Sequence, residues 1–342
     1  MINPKRSTQL VLDSLLKGPL YGIVNHRIHS PVTLDAAENW NFWTEPKSPQ
    51  VEWLFRKYPP ESIRKKHLDF MLEQEHSKGI EAHYDVSNDF YALFLDTSYK
   101  FYSCAEFKSD NETLEQAQTN KAAHIFELLE LDGNEKILDL GCGWGAMLKF
   151  LQNSGHKGEL TGLTLSKEQF AYDRNQLGLN VFLTNFITET FENKPYDRIF
   201  SIGSFEHVKP KEINKIYQKI YDALTPEGLA VHQFFSLERE SYPVSMVMTQ
   251  LFFSGSVLVT HDVHIKAAQS AGFTISHDSI HDYKPTLRKW YENLVKNQER
   301  ALDLVGLETY NRYITFFPIA WLFFQQGEAQ VHRIVTKKSR HY

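Results

Sequence analysis

Apolar positions along this chain switch repeatedly between short continuous runs and helical spacing. Ile137, Leu138 and Leu140 form one such run. It enters a glycine-rich turn and is followed by Met147, Leu148, Phe150 and Leu151 at helical intervals. The pattern recurs downstream. It predicts strands at 136–140, 159–163, 181–184, 197–202 and 228–235, with helices at 145–153, 167–177 and 211–224 between them. Thr113 is placed to cap a helix that runs to Leu131, and Pro226-Glu227-Gly228 reads as a turn before the fifth strand. Such alternation predicts an α/β fold, a parallel sheet wrapped by helices. The alternating segment Gln330 to Thr336 is expected to join the sheet as an added edge strand. Residues 243–260 and 283–327 are rich in Phe, Leu, Met and Trp and predict helical insertions. These would roof the carboxyl end of the sheet, where α/β folds bind ligands.

Residues 1–80 read differently. Helical patterns at Leu10, Val11, Leu15 and Leu16 and at Ile63, Leu68, Met71 and Leu72 bracket a stretch broken by Pro31, Pro46, Pro49, Pro59 and Pro60. Trp40, Phe42, Trp43 and Trp53 interrupt this polar stretch and are expected to anchor it to the main domain. The division expected is a mainly helical N-terminal region, 1–80, serving substrate access or interaction, and a catalytic domain, 81–342.

The glycine turn carries the first chemical signal. Asp139-Leu140-Gly141-Cys142-Gly143-Trp144-Gly145 sits between strand and helix, as in folds that bind nucleoside-bearing cofactors. Its spacing is G-x-G-x-G and not the G-x-G-x-x-G of dinucleotide sites. The next strand tip lacks a carboxylate, and there is no P-loop Lys-Ser/Thr pair. The turn suits the methionine and ribose of S-adenosylmethionine better than a diphosphate.

Composition narrows the classes further. The net charge of −5 argues against a nucleic-acid partner. Two cysteines, Cys104 and Cys142, cannot by themselves build a disulfide framework or a zinc site, so no metal is expected, and they fit a reducing cytoplasm. The first residues lack the apolar core of a signal peptide. The strongest apolar run, Ile314 to Phe324, contains Pro318 and falls short of the ~20 residues a bilayer crossing needs. The 24 Phe, 16 Tyr and 6 Trp fit either a large apolar cavity or a thick core. Arg56-Lys57 and Arg64-Lys65-Lys66 would suit anionic lipid headgroups, or simply form a solvated basic face.

Six segments in order resemble one family: His83-Tyr-Asp-Val-Ser-Asn-Asp-Phe90, Tyr102-Ser-Cys-Ala105, Leu138 to Gly145, Gly162-Leu-Thr-Leu-Ser-Lys-Glu-Gln169, Ser201-Ile-Gly-Ser-Phe-Glu-His-Val208 and Asp282-Tyr-Lys-Pro-Thr-Leu-Arg-Lys-Trp290. Together they resemble the cyclopropane fatty acid and mycolic acid cyclopropane synthases, over about residues 80–337. The resemblance implies a Rossmann-like class I methyltransferase sheet with helices on both faces. It implies methyl transfer from S-adenosylmethionine to the double bond of an unsaturated acyl chain. It assigns cofactor contacts to Tyr102, Ser103, Asp139, Gly141, Gly143, Gly145, Thr164, Leu165, Gln169 and, less directly, Phe186. It assigns an active-site bicarbonate to Cys104, Glu206, His232 and Tyr283 with a backbone group of Phe234, where the family usually has Ile. Further departures are Asn185-Phe186-Ile187 after the third strand and Phe252-Phe-Ser-Gly-Ser256 near the acyl site.

In the implied reaction the alkene is a neutral nucleophile, so placement supplies much of the acceleration. The cationic product of attack needs an apolar, water-free pocket. A base such as Glu206, with bicarbonate, then removes a proton, oriented by His232 and Tyr283. His83 and Asp85 are read as a structural flap over the cofactor, and Cys142 as packing. Two rivals stand beside this reading: methylation of an acyl chain or small molecule without ring closure, and a catalytically idle cofactor-binding protein. The expected substrate is an unsaturated acyl lipid, phospholipid-bound. The expected setting is the cytoplasm with peripheral contact to the inner membrane face, and a homo-oligomer stays open.

Overall fold

The computed structural model describes residues 17–57, 87–191, 195–238, 242–253 and 258–338. The apolar runs of the middle of the chain pair as five parallel strands: β1 (Ile137–Leu140), β2 (Leu160–Thr164), β3 (Val181–Leu183), β4 (Tyr196–Ile202) and β5 (Leu224–Leu237). Two antiparallel strands, β6 (Phe273–His281) and β7 (Ala329–Lys338), complete a seven-stranded sheet in the order β3-β2-β1-β4-β5-β7-β6. This is the mixed sheet of class I methyltransferases.

Two details differ from the sequence reading. The segment around Gln330–Thr336 is a strand, yet it is not an edge: β7 lies between β5 and β6. The edge is β6, which the apolar pattern did not reveal. Its sequence, Phe-Thr-Ile-Ser-His-Asp-Ser-Ile-His, is mostly polar, and its side chains alternate between covered and wet, as an edge strand tolerates. Pro226-Glu227-Gly228, expected as a turn before the strand, lies within β5 as an irregularity where the β4–β5 register jumps, from Tyr196 opposite Leu224 to Arg198 opposite Leu229.

Helices cover both faces. On one side pack α5 (Leu114–Leu128) and α6 (Ala146–Asn153); the other carries α8 (Pro210–Ala223) and α10 (His261–Ser270). Thr113 caps α5 in a reciprocal capping box with Gln116. α7 (Lys167–Asn175) follows β2 and is capped by Ser166. The roof is a separate aromatic core. It joins α1 (Pro19–Ile28), α2 (Ala36–Thr44) and α4 (Asn88–Tyr91) to α9 (Tyr242–Val247), α11 (Lys284–Lys296) and α12 (Gln298–Gln325). Within 243–260, α9 runs on into a π-helical turn at Met248–Phe252, and residues 254–257 lie outside the described residues.

Trp40 and Trp43 anchor the N-terminal helices as expected. Trp43 is fully buried, and Trp40 packs on Tyr291 at 4.8 Å and Trp321 at 6.0 Å. Trp53, on α3 (Pro49–Lys57), does not: it is 60% exposed. His83, Asp85 and the Arg64-Lys65-Lys66 cluster lie outside the described residues. Among the described residues no helix is long and apolar enough to cross a membrane.

Candidate active site

The carboxyl ends of β1, β2 and β4 open into a cavity of about 270 Å³. Its floor is the glycine turn. Gly141, Gly143 and Gly145 all have positive φ, which side chains resist. At Gly141 there is also no room: an added Cβ would sit 2.6 Å from Ser204 Cβ. Ser204 Oγ donates to the Leu140 carbonyl at 2.5 Å and so holds the ends of β1 and β4 together. At Gly143 an added Cβ would meet no atom within 4 Å.

Of the ten residues expected to hold the cofactor, nine line this cavity: Tyr102, Ser103, Asp139, Gly141, Gly143, Thr164, Leu165, Gln169 and Phe186. Gly145 lies just behind, where a Cβ would strike Leu179. Thr164 Oγ1 donates to Gln169 Oε1 at 2.8 Å and fixes that amide at the rim. Asp139 is buried, and its Oδ1 has no hydrogen-bond partner among the described residues. Burial and the neighbouring Asp173 push its carboxyl well above the usual range, and burial raises Asp173 to about 8. A buried carboxyl on the cavity wall with an oxygen unmet among the described residues suits a ligand that brings a hydrogen-bond donor or positive charge. S-adenosylmethionine, with its ammonium and sulfonium groups, fits that environment.

A second, smaller cavity of about 70 Å³ lies under the aromatic roof. Cys104, Glu206 and Tyr283 line it together with apolar side chains including Phe235, Met248, Trp290 and Phe324. The two cavities share Tyr102, Ser103, Gly203 and His207, so a ligand in one adjoins a ligand in the other.

Glu206 sits on a 3₁₀ turn, Phe205–His207, just after β4. Its Oε1 accepts the Phe235 N–H at 2.8 Å, while Oε2 has no hydrogen-bond partner among the described residues. Burial raises its pKa to about 7, so the carboxylate can exchange a proton near neutrality. The Cys104 thiol is pushed up to about 12 by burial and stays protonated; its Sγ faces the Ala105 and Asp282 carbonyls. Tyr283 packs edge-on against Trp290 and Phe324. His232 lies within β5, fully buried, and lines neither cavity. Its ring stacks on Phe205 at 4.6 Å, Nδ1 meets Ser201 Oγ at 2.9 Å, and burial keeps it neutral with a pKa of about 3.

Sequence reasoning passed over the groups that hold the Tyr102–Ala105 segment in place. The Gln118 amide donates to the Ser103 carbonyl at 3.0 Å, and the wholly buried Lys121 donates to Ser103 Oγ at 2.7 Å. Gln233 Nε2 donates to the Cys104 carbonyl at 3.2 Å. Gln233 Oε1 in turn accepts from Arg333 Nη2 at 2.8 Å and Nε at 3.1 Å, and Arg333 Nη1 reaches Glu106 at 2.8 Å. The available signal was Arg333 itself, a charge set between Val331 and Val335 in a strand buried on both faces. Gln233→Leu leaves Arg333 donors and the Cys104 carbonyl unmet. It should cost about 1–3 kcal/mol, read as a lower urea midpoint; an unchanged midpoint would remove this link. His207, which the sequence analysis assigns no role, also lines both cavities, and burial lowers its pKa to about 4.

Comparison with known proteins agrees with this geometry. The family model described as mycolic acid cyclopropane synthetase matches residues 72–334. The cyclopropane mycolic acid synthase MmaA2 of Mycobacterium tuberculosis is 31% identical over 286 residues, covering 77% of this chain and 98% of that protein. A sphingolipid C9-methyltransferase of Komagataella phaffii is 28% identical over 283 residues, covering 76% of this chain and 58% of that longer protein. The crystal structure of the mycolic acid cyclopropane synthase CmaA1 complexed with SAH and CTAB superposes with a TM-score of 0.71 at 28% identity, over 78% of this chain and 99% of that one. The glycine turn, the paired cavities and the match across three quarters of its length all agree: the chain belongs to the mycolic acid cyclopropane synthetase family of S-adenosylmethionine-dependent methyltransferases.

Proposed function

We propose that this protein methylates the double bond of an unsaturated fatty acyl chain, carried on a phospholipid, and closes a cyclopropane ring. One observation carries the reading: a carboxylate with a pKa of about 7, Glu206, lies in an apolar cavity that adjoins the cofactor cavity. The names of the relatives support a lipid substrate.

S-adenosylmethionine supplies an electrophilic methyl group. The chain's own residues do the rest. Tyr102, Ser103, Gly203 and His207 form the junction across which cofactor and alkene meet, so orientation lowers the barrier there. As the alkene π pair forms the new C–C bond, positive charge develops on the adjacent acyl carbon. The surrounding aromatic and aliphatic walls keep water from trapping it. Ionised Glu206 stabilises that charge and takes a proton from the transferred methyl, whose C–H pair closes the ring. Cys104, Glu206 and Tyr283 would also suit bicarbonate, whose O–H could donate to Glu206 Oε2, an atom without a hydrogen-bond partner among the described residues. Bound there, such an ion would supply a proton acceptor. Neutral His232 would act on Glu206 only indirectly, through the Phe205 ring it packs against. Residues 1–80 would serve substrate access, and Arg64, Lys65 and Lys66 would suit an anionic membrane surface.

A second reading has support in the sphingolipid methyltransferase relative. If Glu206 takes the proton from a chain carbon instead, the product is a methyl-branched alkene. Proton NMR of the modified lipid separates the two, since only a ring removes all vinylic protons at that site.

The base role also fixes a pH dependence. Only ionised Glu206 accepts a proton, so turnover should rise with pH, with its midpoint near the raised pKa of about 7. A kcat/KM profile with its midpoint in the ordinary carboxylate range would remove Glu206 as the base.

A further inference from the structure

Outside both cavities, four ligand-type side chains meet where the end of β5, the start of α10 and the β6–β7 pair come together. His261 opens α10, Asp278 lies on β6, His332 on β7, and Glu238 follows β5. One donor atom from each of His261, Asp278 and His332 lies within 4.8 Å of the other two. His261 Nε2 is 2.9 Å from Asp278 Oδ2, and His332 Nε2 is 3.5 Å from Glu238 Oε1. Both nitrogens are buried, and neither has a well-formed hydrogen bond among the described residues. His332 Nδ1 makes only a long contact of 3.5 Å to Asp278 Oδ1.

Ion pairing between imidazolium and carboxylate explains this arrangement poorly. The two imidazoles stack face to face at 3.9 Å, and two stacked cations repel. A divalent ion resolves the conflict, because it takes two neutral imidazoles and the Asp278 carboxylate at once.

We propose that His261, Asp278 and His332 bind a divalent transition cation of the zinc type. Two imidazole nitrogens and one carboxylate oxygen are a donor set that Zn²⁺ accepts, with water completing a four-coordinate site. The Asp278 carboxylate offsets part of the ion's charge, and the Glu238 carboxylate lies beside His332. An imidazole lone pair lies in the ring plane, so binding would turn at least one ring out of the stack. The ion would join three elements at the root of the roof. Thr260, just before His261, bridges Leu237 of β5. Three residues earlier in β5, Phe234 stacks on His264 of α10 at 4.0 Å and lines the smaller cavity. The role is therefore structural: the ion would set the roof above the acyl site without touching the reaction.

The test uses the full chain, stripped with a chelator and titrated with Zn²⁺ against a fluorescent competitor, and with Co²⁺ by absorption. One ion per chain is expected. His261→Gln and Asp278→Asn, both at partly exposed positions, should each weaken binding about tenfold or more. His332→Gln should do the same, with folding checked by circular dichroism; if that variant unfolds, the other two decide. His277→Gln, in the separate histidine group beside Glu106, should leave affinity unchanged. Absence of stoichiometric binding overturns the proposal. So does binding indifferent to His261→Gln and Asp278→Asn, or a Co²⁺ spectrum with thiolate charge-transfer bands, which would point to Cys104 or Cys142.

Discussion

Glu206→Gln is expected to bind S-adenosylmethionine as the wild type does and to lose roughly 10²-fold or more in turnover, the usual scale for a missing acid–base group. The amide keeps the shape, and its oxygen can still accept the Phe235 N–H that fixes Glu206 Oε1 at 2.8 Å. The 3₁₀ turn and the junction between the cavities should therefore survive. What disappears is the ability to take a proton and to offset positive charge inside an apolar cavity. Glu206 lines the smaller cavity and not the larger one, so cofactor affinity is the internal control. Near-normal turnover in this variant would mean the proton leaves by another route.

Gly143→Val should abolish detectable S-adenosylmethionine binding by calorimetry while the protein stays folded. The backbone at Gly143 has φ +59°, where a non-glycine residue costs about 1–2 kcal/mol. That is a modest strain for a domain with cores on both faces of its sheet. The added side chain meets no protein atom within 4 Å of its Cβ, and Gly143 lines the larger cavity. The methyl groups would therefore occupy ligand space. Gly141 offers no such test, because its Cβ would strike Ser204 and separate β1 from β4. Wild-type affinity in a folded Gly143→Val protein would remove this turn from the cofactor site.

Much of this architecture could be read from the chain. The β1 turn was legible because close backbone approach demands glycine, and that demand is written directly in residues 141–145. The parallel strands were legible because burial on both faces makes them continuous apolar runs. Strand β6 was not, since an edge strand with one wet face carries Ser276, His277, Asp278 and Ser279 without penalty. Missing β6 in turn misplaced β7 at the edge. Trp53 misled for a different reason. Its aromatic character said nothing about which face of a short helix meets the core, and it points outward while Trp43 is buried.

At the site, Glu206 and the Tyr102–Cys104 segment could be named from short motifs. The supports could not, because Lys121, Gln233 and Arg333 lie far apart in sequence and meet only through tertiary packing. An internal strand such as β7 can hold Arg333 because Glu106 and Gln233 receive its donors.

The most direct measurement is transfer itself. Purified protein is incubated with methyl-labelled S-adenosylmethionine and vesicles of monounsaturated phospholipid, and the acyl chains are analysed by mass spectrometry. The account predicts labelled chains heavier by one CH₂ unit, with no vinylic protons at the modified site. Cofactor binding without label in any unsaturated acyl chain, whether offered on phospholipid, on a carrier protein or as a free acid, would contradict it.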